Sequence, residues 1–289
     1  MQVPARFEYE VATSVEEAIS LLQRHGPEAH LVAGGHSLIP MMKLRLASPE
    51  TLIDIHKLDD ELRYIRDDGG TLRIGALARH KDVLESELIK EKYPILADAE
   101  AMIADPLVRN MGTLGGALAH GDPAEDLPAA FIALGSEIVA RGPDGERTIN
   151  VDDMYISPFE TALEPGEILT EVRISKAPGG SAYFKVKRRT GDYASAAVGV
   201  ALNVSDGRIE DARVGMCGVG NRALRAHGAE EALLGGRPET ELYRRAGEAA
   251  AEETNPTEDA RGTVEYKRDL VKLLIVRALE KAVERAGRT

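Results

Sequence analysis

The spacing of hydrophobic residues along the first sixty positions predicts a small β-α-β unit. Residues 7–11 alternate in the manner of a strand, and a capping box at residues 14–17 begins a helix whose apolar positions share one face. Short apolar runs at 30–33 and 51–55 predict two further strands. The loop after the strand at 30–33 carries a pair of glycines.

The middle of the chain mixes predicted hairpins with predicted helices. Glycine and charged residues separate the apolar segments of each hairpin, and the proline after Asp105 predicts a break in the preceding helical stretch. The predicted strands are 62–66, 71–75, 138–140, 148–151 and 168–174, and the predicted helices are 81–88, 94–103 and one that starts near Pro128 with Asp126 as its cap.

Proline and glycine cluster at residues 176–180, where the hydrophobic periodicity lapses, and this segment predicts a linker between two domains. The first predicted domain covers residues 1–176, with subdomains at about 1–58 and 59–176, and the second covers residues 177–289. Beyond the linker the pattern predicts strands at 182–186, 194–204 and 213–219 and helices at 223–234, 239–253 and 264–286.

The glycine pair after the strand at 30–33 predicts an anion site. Gly34 and Gly35 lack a Cβ, so the backbone can adopt positive φ and approach a ligand closely. Successive N–H groups in such a loop can converge on a phosphate, with the Ser37 hydroxyl as a further donor. A tight turn between a strand and a helix is the alternative explanation of the same glycines.

A second glycine-rich stretch at residues 109–128 has the same character. Two bare loops suit a ligand with two phosphates, and nearby carboxylates suit ribose or ribityl hydroxyls, because an ionised carboxylate only accepts hydrogen bonds. We therefore predict a dinucleotide site, with helix capping as the alternative role of Asp126. No G-x-G-x-x-G motif opens a helix after a predicted strand, so a Rossmann site is excluded. The candidate residues of this stretch are Gly112, Thr113, Gly115, Gly116, Asp122 and Asp126.

Residues 184–193 concentrate positive charge in an otherwise acidic chain and end on Tyr193. Lys185 can steady an anionic cofactor, and Tyr193 can lie against an aromatic ring. A hairpin with a solvated basic face is the alternative. His36 and His120 each lie in a glycine-rich stretch, where they contact phosphate or ribose or else stabilise their loops by hydrogen bonds.

Composition excludes several classes of function. The net charge of −12 argues against a nucleic-acid or anionic-membrane partner. Cys217 is the single cysteine, so this chain alone can form neither a disulfide nor an iron–sulfur site. No metal-ligand spacing and no nucleophile motif occurs, and we predict no metal and no catalytic residue. No apolar run reaches the roughly 18 residues of a spanning helix, and the expected location is the cytoplasm.

Three segments together resemble the FAD-binding medium subunits of molybdenum hydroxylases, in the xanthine dehydrogenase family. They are AGGHSLIPMMKLR at 33–45, RNMGTLGGALAHGDPAEDLP at 109–128 and KVKRRTGDYASAA at 185–197. Within that family they are most similar to the medium subunits of aerobic carbon monoxide dehydrogenases. The resemblance implies a vanillyl-alcohol-oxidase (PCMH-type) FAD-binding domain of two α+β subdomains. A smaller C-terminal domain with a three-stranded antiparallel sheet and helices would follow it.

The resemblance also implies a role for residues in each segment. The first two segments would hold the FAD pyrophosphate through backbone groups, and Asp126 would contact the ribityl or ribose end. Lys185 would lie beside the flavin, and Tyr193 would cover one face of the isoalloxazine ring. No histidine or cysteine matches a covalent flavin link, so FAD is expected to be non-covalent. The implied cofactor-binding residues are Ala33, Gly34, Gly35, His36, Ser37, Leu38, Thr113, Leu114, Gly115, Gly116, His120, Asp122, Asp126, Lys185, Asp192 and Tyr193.

The implied function is electron transfer within a larger enzyme. A large subunit with molybdenum-pterin would oxidise the substrate, and a small subunit with two [2Fe-2S] clusters would pass electrons to FAD in this chain and on to quinone, NAD or oxygen. The expected assembly is a dimer of heterotrimers, free in the cytoplasm or held at the inner face of the membrane through the complex. Three alternatives remain. They are a related hydroxylase acting on a purine, aldehyde or N-heterocycle, a stand-alone flavin reductase, and a nucleotide-binding scaffold without redox turnover.

Overall fold

The computed structural model describes residues 3–287, so the predicted domain ends at residues 1 and 289 lie outside the described residues. Its first elements are β1 (Glu8–Val11), α1 (Val15–His25), β2 (Ala29–Val32), α2 (Leu38–Lys43) and β3 (Thr51–Asp54). β3 pairs in parallel with both β1 and β2. The Ser14 side chain accepts a hydrogen bond from the Glu17 N–H at 3.0 Å, as the capping box predicts. The predicted β-α-β unit is confirmed.

The middle of the chain forms a five-stranded antiparallel sheet in the order β4-β5-β10-β6-β7, with helices and a small β8–β9 hairpin. Its elements are α3 (Asp59–Leu62), β4 (Ile65–Asp68), β5 (Thr71–Gly75), α4 (His80–Glu85), α5 (Glu87–Lys92), α6 (Pro94–Met102), α7 (Pro106–Met111), α8 (Leu114–His120), α9 (Asp126–Leu134), β6 (Glu137–Gly142), β7 (Gly145–Asn150), α10 (Val151–Met154), β8 (Tyr155–Ser157), β9 (Glu160–Thr161) and β10 (Ile168–Ile174).

Two parts of this region differ from the sequence prediction. Leu62 ends the short helix α3, so the hairpin predicted from that residue begins at Ile65. Residues 106–120, predicted as a break and a bare loop, form the helices α7 and α8. The Asp105 side chain caps α7, and Pro106 occupies its first turn, where the missing N–H costs nothing. The proline therefore begins a helix here.

The C-terminal part pairs an antiparallel sheet with three helices. Its three long strands confirm the prediction, and a two-residue strand joins their edge, so that the helix predicted from residue 223 begins at residue 227. The predicted apolar face of the last helix is buried and packs on the sheet. The elements are β11 (Gly180–Val186), β12 (Ala196–Ser205), β13 (Arg208–Cys217), β14 (Leu224–Arg225), α11 (His227–Leu233), α12 (Thr240–Glu252) and α13 (Val264–Ala286).

Helix α9 joins the two larger sheets, and every one of its residues is buried. It packs on β12 and β13 because two strand glycines leave room for its backbone. A Cβ on Gly215 would lie 2.1 Å from the Ala129 carbonyl oxygen, and one on Gly199 would lie 2.8 Å from the same atom. Arg285 of α13 adds an ion pair to Asp98 of α6 at 2.6 Å. These contacts pack α9 against the C-terminal sheet and α6 against α13.

Gly215→Ala is expected to destabilise the protein by about 1–3 kcal/mol, because the added methyl group overlaps the Ala129 carbonyl oxygen. A lower midpoint of thermal unfolding would show this effect. Gly287→Ala is a matched control, since a Cβ at that exposed position meets no atom closer than 3.7 Å. Equal losses in the two variants would contradict the close packing of α9 on β13.

Candidate functional site

A cavity of about 490 Å³ lies where the loop after β2, the start of α8, the start of α9 and the turn before β12 meet. This volume falls within the range of small-molecule and cofactor sites. All residues predicted to bind a cofactor border it except Leu114 and Asp122. Leu114 is buried in the core, and the Asp122 side chain turns back to accept a hydrogen bond from the Ala124 N–H at 2.9 Å.

The loop between β2 and α2 brings backbone donors to this cavity. Within residues 3–287, the N–H groups of Gly34, Gly35, His36 and Ser37 have no hydrogen-bond acceptor. Gly35 has a φ of 72°, which glycine adopts without the steric penalty that a Cβ adds. A row of such N–H groups is typical of an anion-binding loop.

Gly34 sets how closely this loop approaches the second glycine-rich segment. A Cβ on Gly34 would lie 2.2 Å from the Met111 carbonyl oxygen and 2.7 Å from the Gly112 Cα. The same Met111 oxygen accepts a hydrogen bond from Arg79 Nη1 at 2.7 Å. The two segments therefore meet backbone to backbone, and Arg79 anchors the second of them.

The second segment differs from the prediction of a bare loop. Three N–H groups at the start of α8 already donate within the protein: Leu114 to the Ala78 carbonyl, Gly115 to the Ala76 carbonyl, and Gly116 to the Thr113 hydroxyl. A Cβ on Gly115 would lie 2.6 Å from the Ala76 Cβ. The glycine at 115 therefore allows α8 to pack on residue 76, and the N–H groups of Leu114, Gly115 and Gly116 are already used within the protein.

A buried ion pair forms another part of the wall. Lys185 Nζ donates to Asp126 Oδ2 at 2.7 Å, and the Tyr183 hydroxyl donates to Asp126 Oδ1. Burial raises the pKa of Asp126, while Lys185 opposes that rise. The predicted capping role of Asp126 is wrong, since its side chain contacts β11 and the N-cap residue is Glu125.

The basic segment divides between the interior and the surface. Lys185 is buried in this ion pair. Arg188 and Arg189 are exposed, as the alternative explanation of this segment, a hairpin with a solvated basic face, predicts. Tyr193 borders the cavity with 39% of its surface exposed, and burial by its surroundings raises the pKa of its hydroxyl. The Arg261 guanidinium lies 5.9 Å from the Tyr193 ring centroid and pairs with Asp192 at 3.3 Å. These contacts hold the ring at the rim of the cavity.

The two histidines of the glycine-rich segments are placed differently. His36 is exposed in the first loop. His120 packs its ring 5.2 Å from the Phe159 ring, and burial lowers the pKa of His120, which favours its neutral form. Phe159 adopts a φ of 62°, which is unusual for a residue with a Cβ.

Sequence reasoning missed three groups at this site. His80 borders the cavity and makes a buried contact from Nδ1 to Glu100 Oε2 at 3.0 Å. Glu125 also borders the cavity, and its Oε2 atom is buried with no hydrogen-bond partner. Residues 80 and 100 carry no motif and meet only through folding. Glu125 adjoins Asp126 in the recognised segment, so the motif could have drawn attention to it.

Two family profiles together match nearly the whole chain. Residues 5–177 match the family described as the FAD binding domain in molybdopterin dehydrogenase. Residues 181–282 match the carbon monoxide dehydrogenase flavoprotein C-terminal domain. The chain belongs to the FAD-binding medium subunits of molybdenum hydroxylases. This membership confirms the predicted family, the α+β fold class, FAD as the cofactor, and the assignment to an oxidoreductase.

Individual relatives match over nearly their full length. The carbon monoxide dehydrogenase medium chain of Hydrogenophaga pseudoflava is 42% identical over 99% of this chain and 100% of its own. The corresponding chain of Afipia carboxidovorans is 40% identical over 98% and 99%. A solved structure of the Hydrogenophaga enzyme, lacking the Mo-pyranopterin moiety of its cofactor, superposes with a TM-score of 0.95 at 44% identity, covering 98% of this chain and 99% of that chain.

The observed cavity fits FAD. The first loop supplies N–H donors for an anion, and Tyr193 offers an aromatic face. Asp126 can still accept a hydrogen bond from the cofactor, because a carboxylate has about four lone-pair sites. Glu125 adds a buried polar atom that has no hydrogen-bond partner among the described residues. Within residues 3–287, no set of three His, Cys, Asp or Glu side chains could hold a metal ion, and no helix is both long and apolar enough to cross a membrane.

Lys185→Met is expected to destabilise the folded protein by about 3–5 kcal/mol at neutral pH, because it leaves the Asp126 carboxylate buried without a cation. The loss should shrink as the pH falls. Lys185 lowers the pKa of Asp126 in the wild type, so this pKa rises further in the variant, and the folded variant takes up the proton at a higher pH than the folded wild type does. Denaturant unfolding across the acid-to-neutral range measures both effects.

Lys90→Met provides the matched control for this variant. Lys90 pairs with Glu87 at 2.8 Å on the surface, where an ion pair contributes about 1 kcal/mol or less. A similar loss of stability in both variants, or a loss in Lys185→Met that does not change with pH, would contradict the buried pair.

Proposed function

We propose that this chain is the medium subunit of an aerobic carbon monoxide dehydrogenase, binding FAD non-covalently and passing electrons from an iron–sulfur subunit to an external acceptor. Two observations favour this function. Four N–H groups at residues 34–37, which have no acceptor within residues 3–287, border a cavity of cofactor size. The chain is also 40–42% identical to two carbon monoxide dehydrogenase medium chains over nearly its full length.

The residues around the cavity divide the binding task. The loop from Ala33 to Leu38 holds the pyrophosphate through its N–H groups, and Asp126 accepts a hydrogen bond from a ribityl or ribose hydroxyl. Tyr193 covers one face of the flavin ring and limits the access of water to it. FAD, when bound, supplies the ability to accept and release two electrons. Lys185 keeps Asp126 ionised, so that this carboxylate remains an acceptor.

The remaining cofactors are assigned to partner chains. A single, buried cysteine cannot ligate a [2Fe-2S] cluster. The proposed partners are a small subunit with two such clusters and a large subunit with molybdenum-pterin, assembled as a dimer of heterotrimers. The acceptor is a quinone, NAD or oxygen, and the complex works in the cytoplasm or at the inner face of the membrane. In this chain the domain boundary is proposed near residue 177.

Purification of the native complex tests this function. The expected preparation contains two additional polypeptides, releasable FAD, molybdenum and iron, and it oxidises carbon monoxide with an artificial electron acceptor.

A second candidate is a related hydroxylase, because a glyceraldehyde dehydrogenase medium chain and a nicotine 6-hydroxylase medium subunit are each 36% identical to this chain. Turnover of an aldehyde or an N-heterocycle, but not of carbon monoxide, would favour that candidate.

Ser37→Asp is expected to weaken FAD affinity at least about tenfold, because it places a negative charge beside the proposed pyrophosphate site. Asparagine at this position has the same size without the charge, so Ser37→Asn should remain within about threefold of the wild type. Fluorescence titration of the FAD-free chain measures both. Equal affinities for the Asp and Asn variants would remove Ser37 from the anion site.

Tyr193→Ala should leave FAD bound but alter its reduction potential, since the ring loses its aromatic cover and is reached by water. Tyr193→Phe retains the ring and should keep the wild-type potential. Spectroelectrochemical titration compares the three proteins. An unchanged potential in Tyr193→Ala would place Tyr193 outside the flavin site.

A further inference from the structure

Glu125 occupies an unusual position at the wall of the cavity. It immediately precedes α9 and contributes to the cavity lining together with Asp126 and Lys185. Its side chain makes no hydrogen bond or ion pair within residues 3–287, and its Oε2 atom is buried. A buried carboxyl oxygen without a partner costs free energy unless a ligand or a water satisfies it.

The electrostatic surroundings of Glu125 disfavour an ionised carboxylate. The nearby cation, Lys185, already pairs with Asp126 at 2.7 Å. Burial raises the pKa of Glu125 well above its usual range, and Asp122 and Asp126 raise it further. The titratable groups that interact with Glu125 are Asp122 in its own turn, Glu100 of α6, Asp126 of α9, Tyr155 of β8, Tyr183 and Lys185 of β11, Tyr193 before β12 and Cys217 of β13.

We propose that Glu125 carries a proton and donates a hydrogen bond to the flavin nucleotide in this cavity, a role that rests on the proposed FAD site. A neutral carboxyl supplies one O–H donor, which matches an acceptor atom of the cofactor. An ionised carboxylate could only accept, and it would repel the pyrophosphate that the same cavity holds. Glu125 is therefore a cofactor-contacting residue distinct from Asp126, which acts as an acceptor.

Tyr155 offers a structural explanation that the test must separate from this role. Its hydroxyl is also buried without a hydrogen-bond partner and interacts electrostatically with Glu125. A water bridging the two side chains would satisfy both without any cofactor. In that case, removing the Tyr155 hydroxyl would disturb the site as much as removing the Glu125 carboxyl.

The experiment is a fluorescence titration of FAD into the FAD-free full-length chain. Glu125→Gln keeps a neutral donor of the same size and should bind FAD within about threefold of the wild type. Glu125→Met fills the same space without a donor and should bind about tenfold more weakly, with a shifted visible spectrum of the bound flavin. Tyr155→Phe should match the wild type in both measurements. Thermal unfolding of each variant checks its fold.

The outcomes separate this role from the function on which it rests. A wild-type chain that binds no FAD would overturn the proposed function itself. Wild-type affinity in Glu125→Met, or weakening in Tyr155→Phe equal to that in Glu125→Met, would overturn the role of Glu125 alone. Weakening in Glu125→Gln equal to that in Glu125→Met would show that the site needs a charged carboxylate. If Glu125→Met fails to fold, tenfold weaker binding by folded Glu125→Gln still refutes the proton donor.

Discussion

The buried pair between Asp126 and Lys185 is the contact on which the site depends. Asp126 lies in the part of the chain that matches the FAD-binding family, and Lys185 lies in the part that matches the C-terminal family. Removing one member of such a pair typically costs about 3–5 kcal/mol, because the remaining charge stays buried and unpaired. The pair therefore ties the two family regions together at the cavity wall. Gly199 and Gly215 let α9, which begins at Asp126, approach the C-terminal sheet closely.

The acidic chain must bind an anion without a basic surface. With a net charge of −12, long-range attraction does not favour a phosphate group. Local backbone dipoles can still attract a phosphate group. The four N–H groups at residues 34–37 have no partner within residues 3–287 and supply such dipoles. Gly34 lets this loop lie against the backbone carbonyl group of Met111. Arg79 donates a hydrogen bond to the same carbonyl oxygen. The donors are thus held in place by packing rather than by charge.

The sequence predicted the elements whose signals are local. The capping box at Ser14, the hairpin of the strands predicted at 138–140 and 148–151, and the apolar face of α13 each rest on neighbouring residues, and each is present in the structure. Errors arose where one residue type serves two purposes. The helix break predicted before Pro106 is present, but the bare loop predicted after it is wrong, because Asp105 caps the helix α7 that begins at Pro106. Gly115 was assigned to a bare loop but allows α8 to pack on Ala76.

The candidate site could be predicted only in part, for a related reason. Most residues that line the cavity lie in the three segments that resemble the family, and they could be predicted because each segment is continuous in sequence. His80 and Glu100 come from separate helices and meet at 3.0 Å only in the folded chain. Whether a carboxylate caps a helix, pairs with a lysine or lacks a partner depends on distant residues. The different surroundings of Asp126 and Glu125, adjacent in sequence, show this dependence.

The central claim is that this chain holds FAD through local contacts and without a covalent bond. Flavin analysis of the purified full-length chain, after saturation with FAD and removal of the excess, tests it most directly. The account predicts one FAD per chain, released completely when the protein is denatured. A folded chain that cannot be loaded with FAD would contradict the site, and flavin that stays attached to the denatured chain would contradict the non-covalent binding.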